Sequence, residues 1–186
     1  MAYAGQVLEN PVSGERITFV TTAADTGGEL LTIELDLDAD GEVPGIHVHP
    51  AQEERFEVLS GQMRFRKGLK TTVAGPGDVV VVPAGKAHKF ANAGDGPVRA
   101  RVEIRPALRM EELFEAATGL AQDGRTMKSG MPKPLDLALF VREFAREVRA
   151  PFPPGWAQRA ALGPLAWLAR RRGLGARYVL PAYAQA

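Results

Sequence analysis

All three histidines of this 186-residue chain fall inside two short stretches, Gly41 to Gly61 (GEVPGIHVHPAQEERFEVLSG) and Gly77 to Asn92 (GDVVVVPAGKAHKFAN). His47 and His49 sit close to two candidate carboxylates, Glu53 and Glu54, and His88 leaves no histidine over for another role. Three imidazoles and one carboxylate make a first coordination shell for a divalent transition metal. On an octahedral ion, four protein ligands leave two positions for water, substrate or dioxygen, and open positions distinguish catalytic from structural sites. Such a donor set accepts Fe, Mn, Ni, Zn, Co or Cu, and the affinity order does not choose among them. The chain has no cysteine, so disulfides, thiolate ligands and a cysteine nucleophile are all excluded.

These side chains need elements that converge them. Residues 5–105 read as short strands punctuated by glycine and proline: Arg16 to Thr22, Glu29 to Asp36, Gln62 to Arg66, Lys70 to Ala74, Asp78 to Val82, Ala87 to Asn92 and Val98 to Arg105. Leu31, Ile33, Leu35 and Leu37 alternate with polar residues, the period of a half-buried strand. Lys67-Gly68 is expected at the tip of a tight hairpin. After Pro106 the period lengthens to that of helices, over Leu108 to Ala121, Leu135 to Val148 and Trp156 to Arg172, with a long loop from Gln122 to Pro134 and a strained point at Gly163-Pro164. The fold class is therefore mainly β, a sandwich or barrel followed by helices.

Charge divides at the same place. Residues 1–105 carry 11 basic and 15 acidic groups and residues 106–186 carry 12 and 7, which hides an acidic barrel and a basic tail behind a net +1. The arginines of the tail are spread along helices, which points to solvated helical faces rather than to nucleic acid. The apolar run Ala160 to Ala169 is far below the ~20 residues of a membrane span, so no stable membrane insertion is expected, although attachment of Trp156 to Arg172 to a membrane surface is compatible with the pattern. The first residues show no charged n-region followed by an apolar stretch, and a cytoplasmic location is the expectation.

Strand geometry selects among the candidate ligands. Side chains alternate across a strand, so His47 and His49 point together, whereas Glu53 and Glu54 point apart. Glu54 is favoured, and Gln52 and Glu53 become exposed rim residues. The same alternation turns Phe56 and Val58 inward with Glu54, and Phe90 inward with His88, as the expected walls of a substrate pocket. Asn92 is expected to hold a turn, and Arg99, Arg101 and Arg105 to face away from the core.

The two stretches fit G-x5-H-x-H-x4-E-x6-G through Gly41, His47, His49, Glu54 and Gly61, and G-x5-P-x-G-x2-H-x3-N through Gly77, Pro83, Gly85, His88 and Asn92. In both patterns the chain resembles the cupin superfamily, over the strands but not over the last 80 or so residues. The resemblance implies a cupin double-stranded β-helix, a jelly-roll barrel, in residues 1–105, with residues 106–186 a C-terminal α-helical extension packed on the barrel or at its mouth. It implies His47, His49, Glu54 and His88 as ligands of one divalent ion per chain, with Glu54 also a catalytic proton acceptor, and no other cofactor. Small dioxygenase-type, quercetinase-like cupins suggest a metal-dependent oxidoreductase acting on a small organic substrate, aromatic ones included. A non-redox isomerase, epimerase or lyase on a sugar or small acid is the alternative, and a non-catalytic small-ligand-binding module the third. Cupins of this kind suggest a homodimer, and no helix-turn-helix pattern points to nucleic acid. The extension is expected to bury Trp156, Leu165, Trp167 and Leu168, or to place Gln122 to Pro134 or the third helix as a lid over the barrel mouth.

Overall fold

The computed structural model describes residues 2–175. The last eleven residues of the expected extension, 176–186, therefore lie outside the described residues. Nine strands come first: β1 (Val7–Asn10), β2 (Glu15–Thr21), β3 (Leu31–Leu37), β4 (Glu53–Ser60), β5 (Met63–Lys67), β6 (Lys70–Ala74), β7 (Val79–Val82), β8 (His88–Asn92) and β9 (Val98–Arg105). Three helices follow: α1 (Met110–Gln122), α2 (Pro134–Glu143) and α3 (Gly155–Arg171). The strands pair antiparallel into a six-stranded sheet, β1-β2-β3-β9-β4-β7, and a three-stranded sheet, β6-β5-β8. Residues 42–47 extend the smaller sheet beyond β8 through bridges between Glu42 and Ala91 and between His47 and His88. The result is the mainly β jelly-roll barrel with a C-terminal α-helical extension.

Alternation fills the space between the sheets. On β9, Val98, Ala100, Val102 and Ile104 are buried, and they share one continuous core with Phe19, Ile33, Leu35 and Phe56 of the same sheet and Met63 of the other. On the outer side, Arg99 and Arg101 stand opposite Asp36 and Glu34 of β3 and pair with them at 2.6 and 3.7 Å. These exposed pairs fix register more than they add stability. The rings of Phe56 and Phe65 meet edge-on at 5.1 Å and those of Phe56 and Phe90 lie 5.2 Å apart, which gives the core a rigid aromatic centre. Gly61 turns the chain from β4 into β5 with φ +73°, and a Cβ there would sit 2.8 Å from the Pro97 carbonyl oxygen. Only glycine satisfies both conditions.

Several sequence-based boundaries shift. β1 was not foreseen, because Val7–Asn10 is a short edge strand with only half-buried inner residues. The β5–β6 hairpin turns over Gly68 and Leu69, since Lys67 pairs with Lys70. α2 ends at Glu143 rather than running to Val148. Phe144 to Glu147 form a turn, after which the chain extends and Arg149 pairs with Val48 through reciprocal backbone bonds of 2.9 and 3.0 Å. α3 continues through Pro164. Both Pro164 and Ala160 are exposed, so the carbonyl that proline leaves without a donor meets water.

The burial expected for the third helix is overturned. Trp156, Leu165 and Trp167 are exposed and Leu168 is half-buried, whereas Gln158, Ala166 and Ala169 form the buried face. The reason is steric: α3 packs against α2 through small side chains that allow close approach. Gln158 also donates to the carbonyls of Ala150 and Pro153 and ties α3 to the preceding loop. The extension meets the barrel through apolar packing, with Met110, Leu113, Ala116 and Phe144 in the same core cluster as the strands, and through polar contacts, with Gln6 donating to Glu115 at 2.8 Å and the Ala23 amide to Glu111 at 2.8 Å.

Candidate metal centre

His47 and His88 exchange backbone bonds of 2.9 Å in both directions, so they oppose one another on neighbouring strands and their rings share a face, 4.3 Å apart. His49, two residues on, brings its ring to 4.9 Å from His47. The Gly85 amide donates to the His49 carbonyl at 2.8 Å, which locks the second glycine-rich turn against the first histidine segment. Glu54 comes from the larger sheet, where β4 places it opposite Val82 and Ile104. The four candidate ligands are thus brought together from two sheets, with donor atoms all within 4.8 Å of one another. His49, Glu54 and His88 are buried and His47 is half-buried at the cavity edge.

The tautomers follow from the neighbours. Nδ1 of His49 lies 2.6 Å from the Glu147 carbonyl oxygen, that of His88 3.2 Å from the Lys86 carbonyl, and that of His47 3.3 Å from the Gly45 carbonyl. A carbonyl oxygen only accepts, so each Nδ1 donates its proton and each neutral ring keeps its lone pair on Nε2. His88 Nε2 is then 2.7 Å from Glu54 Oε2, and His49 Nε2 is 3.4 Å from Glu54 Oε1. Both nitrogens and Oε2 are buried without a hydrogen-bond partner. Two lone-pair atoms held this close, away from water, need a cation to share. Ligand atoms around an ion at ~2.1 Å lie ~3–4 Å apart, so the cluster fits a metal ion and could hold one.

Burial opposes ionisation of Glu54, but positive charge placed at His49 and His88 outweighs it and brings its carboxyl down to about 2, and a cation shared by the Nε2 atoms would supply that charge with the rings neutral. Burial, reinforced by His49 and His88, pushes His47 down to about 3, so this imidazole is neutral and able to ligate.

The other expected site residues divide. Phe56 and Phe90 line a cavity of about 440 Å³ that also touches His47, His49 and Glu54. Val58 is buried in the core but is not part of that lining. Glu53 is exposed, as alternation requires, whereas Gln52 is 1% exposed and not a rim residue. Its amide donates to the carbonyls of Pro106 and Ala107, both at 3.0 Å, and pins the start of the extension beside the site. Asn92 holds a turn, donating to Asp38 and Gly96 carbonyls at 2.8 Å and accepting from the Gly94 amide.

The extension contributes what sequence reasoning missed. Met110, Leu113, Leu137, Phe140 and Val148 form walls of the cavity, opposite Ile33, Leu35 and Ile104 of the barrel. Arg149 borders it with a buried Nε that has no hydrogen-bond partner among the described residues. Glu147 supplies the carbonyl that orients His49 from 98 residues away. Arg109, at the start of α1, pairs with Glu143 at 2.9 Å and lies 5.3 Å over the Phe144 ring, holding that segment in place. The helical periodicity of α1 and α2 predicted apolar faces, but no sequence signal pairs Glu147 with His49.

Residues 35–104, which include all four candidate ligands, match the family model described as the cupin domain. An uncharacterized protein of Streptomyces coelicolor is 50% identical over 40 residues, which is 22% of this chain and 38% of that protein. The chain thus spans well under half the length of this curated relative. Among solved structures, a predicted oxalate decarboxylase from Thermotoga maritima is similar at TM-score 0.49, with 19% identity over 55% of this chain and 92% of that one. A sugar phosphate isomerase from a cupin superfamily of Silicibacter pomeroyi is similar at TM-score 0.44, with 22% identity over 50% and 60%. The cupin domain of Schizosaccharomyces pombe Cnp3 gives 0.47, with 14% identity over 54% and 68%. The match over residues 35–104 supports placing the barrel of this chain in the cupin superfamily.

Proposed function

We propose that this cupin is a metal-dependent oxidoreductase of the small dioxygenase, quercetinase-like type, acting on a small organic substrate with an apolar body, aromatic bodies included. The observation that carries the reading is that His47, His49 and Glu54 face a cavity of about 440 Å³ whose walls are mostly aliphatic and aromatic. Residues 1–105 are read as the barrel domain and 106–186 as an extension, whose described residues in α1, α2, Thr126 to Pro132 and part of α3 lie against the cavity and roof the mouth.

A divalent ion held by His47, His49, His88 and Glu54 would polarise a substrate oxygen and supply redox chemistry toward dioxygen. The chain supplies the rest. The Glu147, Lys86 and Gly45 carbonyls fix the three rings with Nε2 presented to the ion. Glu54, held anionic, takes the proton of an entering enol or phenol at Oε1, the oxygen farther from an imidazole nitrogen. Phe56 and Phe90 offer faces on which an aromatic ring stacks, and the roof excludes water. Arg149 Nε, buried and unpartnered, is a donor for a second substrate oxygen. A sugar-directed isomerase, epimerase or lyase would need polar walls, and the apolar lining weighs against it.

Protein loaded with iron(II) or nickel(II) and offered flavonols, diketones and phenols in an oxygen electrode is expected to consume dioxygen, and His88→Ala to abolish the uptake. No uptake with any member of the panel in either metal form would sink the dioxygenase reading. The same reading takes the protein as a cytoplasmic homodimer. Val79 and Val81, exposed on edge strand β7, and Val73 on edge strand β6 offer an apolar surface for pairing, and sedimentation equilibrium is expected to return twice the 20.0 kDa chain mass.

A further inference from the structure

We propose that α3 docks this protein on an anionic lipid surface. The only two tryptophans of the chain, Trp156 and Trp167, both lie on α3, 69% and 58% exposed. They are about three turns apart and so share one face of the helix. Arg159 follows Trp156 by three residues, and Arg170 and Arg171 follow Trp167 by three and four, so guanidinium groups flank the same face. The Arg171 guanidinium lies 4.6 Å from the Trp167 ring centre. The opposite face, Gln158, Ala166 and Ala169, is already buried against α2 and the preceding loop, and among the described residues the tryptophan face is left exposed.

Charge identifies the occupant. Residues 148–186 contain six arginines and no lysine, aspartate or glutamate, so this end of the protein is cationic without internal compensation. Arg159, Arg170 and Arg171 take part in no ion pair among the described residues. An anionic headgroup layer offers what both residue types lack in water. Indole rings settle at the boundary between headgroups and acyl chains, and guanidinium groups bind phosphate in bidentate fashion. A second copy of the chain fits poorly, because a twofold contact on this face would set arginines against arginines. Docking would also bring lipid beside Phe152, which is exposed and, together with Pro153, Ala161 and Leu162, lines the apolar cavity. An apolar ligand dissolved in the bilayer would then have a short path to the site.

Because both tryptophans sit on the proposed face, the intrinsic fluorescence of the full chain reports docking directly. Vesicles of phosphatidylcholine mixed with phosphatidylglycerol are expected to shift the emission to the blue and to carry the protein on flotation, the more so at low salt. Vesicles of phosphatidylcholine alone are expected to do neither. Replacing Arg159, Arg170 and Arg171 together by Gln should weaken binding by roughly a hundredfold, about fivefold for each charge. Trp156→Ser with Trp167→Ser should abolish flotation, and both variants should keep the wild-type melting temperature because the side chains are exposed. No flotation on mixed vesicles at low salt, or undiminished binding by the arginine variant, would overturn the proposal. So would a blue shift that grows with protein concentration in the absence of lipid alongside a doubled mass, since a second copy would then cover the face.

Discussion

Replacing Glu54 by Gln separates a metal ligand from a buried ion-pair partner. In the metal-free protein, Glu54 Oε2 faces His88 Nε2 at 2.7 Å, and a Gln at 54 presents an amide donor to that lone pair. A net hydrogen bond of about 1 kcal/mol forms, no carboxylate needs desolvation, and the metal-free stability should change by no more than about 1 kcal/mol. The metal response should collapse. With free metal at about a hundred times its dissociation constant, wild-type protein gains ~2.7 kcal/mol. For a chain of this size that raises the melting temperature by about 5–11 °C. Loss of one of four ligands weakens binding by about a hundredfold, leaving ~0.4 kcal/mol and about 1 °C at the same metal concentration. Thermal melts with and without metal, after chelator treatment, measure both quantities, and elemental analysis of the dialysed protein counts the ions. Glu53→Gln, an exposed change one residue away, should behave as wild type. The reasoning is refuted if Glu54→Gln costs the metal-free protein about 3–5 kcal/mol while its metal response persists, because Glu54 would then act as the ion-pair partner of His88.

Three further outcomes are expected. His47 has its pKa lowered to about 3 against an ordinary value of 6.5, so between those values the unfolded chain binds a proton that the folded one does not. Metal-free protein should therefore lose stability as pH falls from about 6.5 toward 3, and His47→Gln should flatten that part of a urea-midpoint profile. Gln52→Leu removes both donors to the Pro106 and Ala107 carbonyls and should cost about 2–4 kcal/mol in urea denaturation. Arg109→Met frees the segment whose Glu147 carbonyl orients His49 and should weaken metal binding by up to about tenfold, read by competition with a chromophoric chelator.

Most of the candidate site was legible because its ligands are local in sequence. His47 and His49 at i and i+2 follow from the two-residue period of a strand, which also sets Glu53 and Glu54 on opposite faces. The resemblance, through the spacing of Glu54 to Gly61, implied which of the two ligates, and the same period then turned Phe56, Val58 and Phe90 inward. The arginines of β9 were legible for the same reason. Gln52, two residues before Glu54, shares its inward face by the same period, so its expected place on the rim ran against alternation. What alternation cannot express is its partners, two carbonyls released where the chain leaves β9 for α1. Val58 points inward as expected but lies deeper than the cavity reaches, a question of depth along the strand and not of face.

The sequence by itself determined the strands and the helical extension through periodicity, and the two motifs that resemble the cupin patterns implied the barrel and the four donors that meet in its interior. Only the tertiary structure decided how the extension is used. Its apolar residues were assigned to burial by type, but packing through Ala166 and Ala169 left Trp156 and Trp167 outside, while Phe140 and Val148 went to the cavity. The bond from His49 to the Glu147 carbonyl spans 98 residues and uses a backbone atom, which every residue type carries alike. No pattern of side chains encodes such a contact. It follows from where α2 stops, and that stop depends on Arg109, Glu143 and Phe144 meeting in space.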